Sequence, residues 1–215
     1  MSESNLDLTR LYDAILAGDA ESAIQVTNEA IAAGTDPQQL VTEHMITAMD
    51  EVGQRFERAE YFVPEMLIAA RAMKGALQLL RPLLAARGIQ PLGRVVIGTV
   101  KGDLHDIGKG LVASMLEGGG FEVIDLGVDV PAATFLAECQ QHQADIIAVS
   151  ALLTTTMTGM KSVVQAVRDA GLSDRCQVII GGAPVTQQYA DAIGADGYSD
   201  SASGAVALAR RLVAA

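Results

Sequence analysis

From Val95 onward, short β-branched runs alternate with helical stretches, and this alternation constrains the chain more than any other feature of its sequence. The spacing predicts strands over Val95–Val100, Phe121–Leu126, Asp145–Ser150, Gln177–Ile180 and a short one around Tyr198. It predicts helices near Gly108–Glu117, Ala132–His142, Met157–Asp169, Val185–Ile193 and Ser203–Val213. Repeated βα units imply a parallel sheet covered on both faces. Ligands of such sheets bind beyond the carboxyl ends of the strands, where the strand order reverses. Function is therefore sought in the loops after the first, third and fourth strands.

Upstream the period is different. Between Leu6 and Ala33 two short amphipathic segments flank Gly18-Asp19-Ala20, with Asp19 as an N-cap. Asp36-Pro37 opens a longer helix, proline suiting a first turn. Its apolar positions Val41, Met45, Met49 (or Ala48), Val52 and Phe56 recur at helical spacing. A further helix follows Pro64, with Met66, Ala69, Met73, Leu77, Leu80 and Leu84 on its apolar side. A bundle of about four antiparallel helices is expected. Gly88 to Gly93 carries Gly and Pro without periodicity and reads as the boundary. The expected domains are a helical cap, 1–88, and an α/β domain, 93–215. The fold class is α/β: an N-terminal helical bundle, then a flavodoxin-like, doubly wound, five-stranded parallel sheet.

Composition narrows the function classes. The apolar share of 50% allows a well-buried core, and with no Trp that core rests on Ala, Val, Ile, Leu and Met. A net charge of −11 with no Lys/Arg cluster argues against nucleic acid as a partner. The longest apolar stretches, such as Ile146 to Leu153, are too short to span a bilayer, so no membrane partner is expected. Cys139 and Cys176 do not make a disulfide framework, and a reducing, cytoplasmic setting follows by default. Cys139 and His142 share a helix face, but without a second pair of ligands they read as surface decoration.

The loop after the first strand runs Lys101-Gly102-Asp103-Leu104-His105-Asp106-Ile107-Gly108. Neither nucleotide fingerprint fits it: GxGxxG is absent, and a P-loop needs Ser or Thr after its Lys, whereas Lys109 precedes Gly110. A lone loop histidine is commonly structural or solvated. Asp103 changes that reading, because a carboxylate can hold one ring nitrogen and leave the other free for a metal. A single His cannot hold a bare zinc or iron ion. If His105 binds metal, a cofactor must supply the remaining coordination. After the third strand, Ser150-Ala151-Leu152-Leu153-Thr154-Thr155-Thr156 has more hydroxyls than one helix cap needs. After the fourth, Gly181-Gly182 lets a bulky ligand approach the backbone, or simply makes a tight turn.

Together Asp103-x-His105-x-x-Gly108, Ser150-x-Leu152 and Gly181-Gly182 resemble the cobalamin-binding fold that holds its cofactor base-off and histidine-on. The stretches from Gly98 to Lys109 and from Asp125 to Pro131 are similar to its methyl-transferring branch. That branch comprises corrinoid proteins of methyltransferase systems and the matching module of cobalamin-dependent methionine synthase. Val52-Gly53, Phe56, Tyr61 to Met66 and Ala69 to Lys74 resemble the branch's helical cap, so the likeness covers nearly the whole chain.

The resemblance implies residue roles. His105 would be the lower axial ligand of cobalt and Asp103 its hydrogen-bond partner. Thr156 falls where the family carries a hydroxyl completing that relay, usually Ser. Gly102, Leu104, Asp106, Ile107 and Gly108 would contact the cofactor along the same loop, and Leu152 beside it. Ser150 and Thr154 would meet the nucleotide tail, Gly181 and Gly182 would line its channel, and Ala202 would lie at its far end. Phe62 and Met66 would cover the upper face of the corrin, although ordinary core packing explains such residues equally well.

The resemblance further implies a methyl carrier cycling between cob(I)alamin and methylcobalamin. Expected partners are a substrate-specific methyltransferase and an acceptor methyltransferase, with a reductive activase as a further candidate. Rival readings are a cobalamin-dependent sensor or regulatory protein, the cobalamin subunit of an adenosylcobalamin mutase, and a plain flavodoxin-like binding domain.

Overall fold

Aspartates start the early helices. Asp19 Oδ1 accepts the Ser22 amide at 3.0 Å and caps α2 (Ala20–Ala32), which follows α1 (Thr9–Leu16). Asp36 Oδ1 accepts the Gln38 amide at 2.9 Å, and Pro37 occupies the first turn of α3 (Pro37–Gln39). The computed structural model describes residues 7–214. Leu6, where the first helical segment was expected to begin, lies outside the described residues.

The longer helix expected after Pro37 is not uniform. Its winding widens to a π-helix over Leu40–Met45 before α4 (Ile46–Glu57). Spacing of apolar side chains cannot detect such a change, because one wide turn leaves the buried face nearly unchanged. The last helix of this unit, α5 (Val63–Ala86), begins before Pro64, and the Phe62 amide donates to Glu65 Oε2 at 2.9 Å. Leu11, Ile15, Leu40, Met45, Met66 and Leu80 are fully buried.

The chain separates into two units, one running to Gln90 and including Glu117–Gly120, the other made of Pro91–Leu116 and the residues from Phe121 on. In the second unit, apart from the last two residues of α6, the elements are β1 (Arg94–Thr99), α6 (Ile107–Gly118), β2 (Glu122–Asp125), α7 (Ala132–His142), β3 (Ile146–Ser150), α8 (Thr158–Asp169), β4 (Gln177–Gly181), α9 (Gln187–Ile193), β5 (Gly197–Tyr198) and α10 (Ala202–Val213). All strand pairs are parallel, in the order β2-β1-β3-β4-β5. The β-branched runs are strands because both faces of the sheet are covered; Val95, Val96, Ile146, Ile147, Val178 and Ile180 are buried. Helix α9 starts at Gln187 rather than Val185, because the Thr186 hydroxyl caps it by accepting the Tyr189 amide at 3.2 Å.

The strand order reverses at β1, between its neighbours β2 and β3. Register aligns the critical strand ends: Thr99 pairs with Ser150, and Ser150 with Gly181. Three segments distant in sequence thus end in one row at the carboxyl edge of the sheet. No helix of the described residues is long and apolar enough to cross a membrane.

Candidate functional site

The loop leaving β1 is built around one carboxylate. Asp103 is fully buried and accepts from five groups. Its Oδ1 takes the His105 amide at 3.1 Å and contacts His105 Nδ1 at 2.7 Å. Its Oδ2 takes the Leu152 amide at 2.8 Å, the Leu153 amide at 3.3 Å and the Thr156 hydroxyl at 2.8 Å. Burial alone would push this carboxyl up, but the bonds from the Leu152 amide, the His105 ring, the Thr156 hydroxyl and the His105 amide hold it well below the usual carboxylate range.

An ionised Asp103 decides the state of the ring. Facing a carboxylate already occupied by donors, Nδ1 carries the proton and donates it, so in the neutral ring Nε2 keeps its lone pair. The His105 side chain is half exposed. From the other side the Thr99 hydroxyl, fully buried, donates to the His105 carbonyl at 2.8 Å. Gly102 takes φ +83°, a left-handed conformation that glycine tolerates, and its amide donates to Asp129 Oδ1 at 2.7 Å. Just beyond the loop, the buried Lys109 ammonium bonds both oxygens of Asp125, one at 2.6 Å, and ties the first turn of α6 to the end of β2.

Around the imidazole the surface is apolar. Leu104 and Ile107 are 73% and 83% exposed, and Leu152 and Leu153 are also exposed. Four large aliphatic side chains on two adjacent loops are an uneconomical surface in water, and such patches mark binding sites. Beside Thr156 opens a cleft of about 490 Å³ whose lining includes Lys101, Gly102, Pro131, Thr155, Thr158 and Ser162.

The third expected segment packs close. Gly182 adopts φ +135°, and a Cβ there would overlap the Ala151 carbonyl oxygen. A Cβ on Gly181 would lie 3.1 Å from the Ser199 carbonyl oxygen. Ser150, bonded through its carbonyl to the Val100 amide at 3.0 Å, joins the same edge, and Thr154 is exposed on the loop beyond. Ala202 is buried in the first turn of α10, which Ser201 caps by accepting the Gly204 amide at 3.1 Å. Asp106 and Gly108 are exposed at the start of α6.

The structure therefore brings Asp103, His105, Leu152 and Thr156 into direct contact or adjacency. It aligns Ser150 with Gly181 and leaves Ala202 at the end of the neighbouring β5. Phe62 and Met66 belong to the helical unit, where Phe62 is 61% exposed and Met66 fully buried. Sequence reasoning did not single out Thr99, Asp129 or the Lys109–Asp125 pair as contributors. Asp129 had a legible signal, an acid beside Val130-Pro131 at a strand end. Thr99 had none, because its hydroxyl acts on a backbone carbonyl. Cys139, expected on the surface, is buried against Cys176, while His142 pairs with Glu138 at 3.3 Å.

Among the described residues no three His, Cys, Asp or Glu side chains converge to hold a bare metal ion. One imidazole with a free Nε2, set in an apolar surface, suits a metal that arrives within a large, largely apolar cofactor. A family model described as a B12 binding domain matches residues 93–207, and a second of the same description matches residues 7–81. The chain belongs to the B12-binding family. This B12-binding protein is 43% identical over 96% of both chains to trimethylamine corrinoid protein 1 of Methanosarcina acetivorans. It is 43% identical over the full length of both chains to the dimethylamine corrinoid protein of Methanosarcina barkeri. Among solved structures it is similar to the methanol:cobalamin methyltransferase complex MtaBC from Methanosarcina barkeri, with a TM-score of 0.86, 29% identity, and coverage of 98% of this chain and 81% of the other. A cobalamin-binding protein from Desulfitobacterium hafniense gives a TM-score of 0.79 at 32% identity, covering 96% and 98%.

Proposed function

We propose that this protein is a corrinoid methyl carrier that holds cobalamin through His105 and serves partner methyltransferases. The observation that carries the reading is an imidazole with Nδ1 held by a buried carboxylate and a free Nε2 among exposed aliphatic side chains. When bound, cobalamin supplies the cobalt centre that accepts and gives up the methyl group.

The chain's own residues bind and orient. His105 would hold the cobalt through Nε2, and Asp103 keeps the ring in the tautomer that can ligate and strengthens it as a donor. Thr156 keeps Asp103 Oδ2 in place. Leu104, Ile107 and Leu152 give the macrocycle an apolar seat, and Gly102, Asp106 and Gly108 shape its edge. Ser150, Thr154 and Ala202, with Gly181 and Gly182 packed against neighbouring backbone, would hold the nucleotide tail. Of the two residues on the helical unit, Phe62 is exposed and would be the one available to the cofactor, whereas Met66 is buried within that unit. The segment Gly88–Gly93 joins the cap, 1–88, to the cofactor domain, 93–215.

The relatives named for trimethylamine and dimethylamine support a methylated amine as the donor class. The partners are then an amine-specific methyltransferase, an acceptor methyltransferase and a reductive activase. We place the protein in the cytoplasm, in keeping with its two free thiols.

The test is His105→Ala in chain reconstituted with cobalamin. The visible spectrum should change to that of a corrinoid with water or its own benzimidazole below, and methyl uptake from a trimethylamine- or dimethylamine-specific methyltransferase should fall. A spectrum identical to wild type overturns the ligand assignment. Uptake from a methanol-specific methyltransferase alone overturns the donor class.

A further inference from the structure

At the opposite edge of the sheet, two thiols are in contact that the methyl-carrier reading does not use. Cys139 lies in the last turn of α7, and Cys176 immediately precedes β4. A helix that follows its strand returns antiparallel to it, so its last turn, like the start of a strand, sits at the amino edge of the sheet. His105 is at the carboxyl edge. Both thiols are buried, 3% and 2% exposed, and neither is in a disulfide.

Their sulfurs are 2.9 Å apart. A covalent S–S bond is about 2.05 Å, so bonding requires less than about 1 Å of approach. The two thiols bond to each other, and that contact draws the Cys139 thiol below its ordinary value and, together with burial, pushes the Cys176 thiol up. Neighbouring groups do not suggest a metal instead, since no cluster of three ligating side chains includes either cysteine among the described residues.

We propose that Cys139 and Cys176 are a reversible redox pair that a hydroperoxide closes into an intramolecular disulfide. In the first step the thiolate of one cysteine attacks the hydroperoxide, the O–O bond breaks, and its sulfenic acid forms as the other oxygen leaves, after protonation, as an alcohol, or as water when the oxidant is hydrogen peroxide. In the second, the sulfur of the other cysteine attacks the sulfenic sulfur, the S–O bond breaks, and the disulfide forms with release of water. Overall two thiols are oxidised and one hydroperoxide is reduced. The bond would staple the end of α7 to the start of β4 without touching the cobalamin-site residues, so the proposal does not depend on the cofactor reading.

The experiment treats the full-length protein with hydrogen peroxide, then denatures it, blocks free thiols and maps its peptides by mass. A peptide containing Cys139 joined to one containing Cys176, lighter than their sum by two hydrogens and separated again by dithiothreitol, is the expected result. Both titratable thiols should be lost and then recovered. Two blocked, unoxidised cysteines in protein whose methionines already carry sulfoxide would overturn the proposal. So would sulfinic acid at either cysteine without the cross-link, or a cross-link between chains. In the single variants Cys139→Ser and Cys176→Ser, a sulfenic-acid trap should label the remaining cysteine; labelling in neither overturns the sulfenic-acid route.

Discussion

In the loop after β1 the shape is held by what one side chain accepts, whereas in the loop after β4 it is held by side chains that are missing. Asp103 gathers donors from its own loop and from the segment after β3, so one residue joins two strand ends. Gly182 has no side chain to do so, and lies where a Cβ would strike the Ala151 backbone. The difference teaches that one edge of this site is organised by electrostatics and the other by excluded volume. Those two kinds of order fail in different ways, and substitutions can tell them apart.

The largest effect is expected from Gly182→Ala. Overlap with a backbone oxygen at a positive φ cannot be relieved by a rotamer change, so the chain should lose about 3 kcal/mol or more of stability in urea unfolding. A loss within experimental error would show that the β4 loop is not sterically fixed. Next comes Asp103→Ala, which strands the Leu152 and His105 amides. A loss of about 2–4 kcal/mol is expected by the same measurement, together with the His105-ligated spectrum. If stability falls while the spectrum stays, Asp103 supports the loop but not the ring.

Acid sharpens the contrast. Asp103 is held below its unfolded value of about 3.9, so its contribution is fully present above that pH and drains away as pH falls below it. The melting temperature of cofactor-free protein should therefore decline below about pH 4. Asp103→Ala should flatten that decline, and Gly182→Ala should leave its shape unchanged. The smallest effect belongs to Thr156→Ala, at about 1 kcal/mol. Thr156→Ser should restore it, because the hydroxyl is what bonds Asp103 Oδ2.

These loops also show what could be read in advance. The strands were legible because parallel strands buried on both faces are written as unbroken β-branched runs, and the observed β3, Ile146–Ser150, differs from the expected Asp145–Ser150 only at its first residue. The Asp103–His105 pair was legible because residues two apart on a short loop have few ways not to meet. Cys139 was misread, since a helix face at i, i+3 does not say which side the sheet covers. The π-turn at Leu40–Met45 left no mark in the apolar spacing either.

By itself the sequence determined the alternation of elements, the parallel sheet it forces, and the residue types waiting at three strand ends. Those follow from local periodicity and from the few conformations open to each short segment. Only the tertiary structure decided that Thr99, Ser150 and Gly181 end in one row, that Asp103 is sealed by amides from another loop, and that two thiols far apart in sequence touch. Strand register and helix rotation set those distances, and both are settled by how whole faces pack against one another.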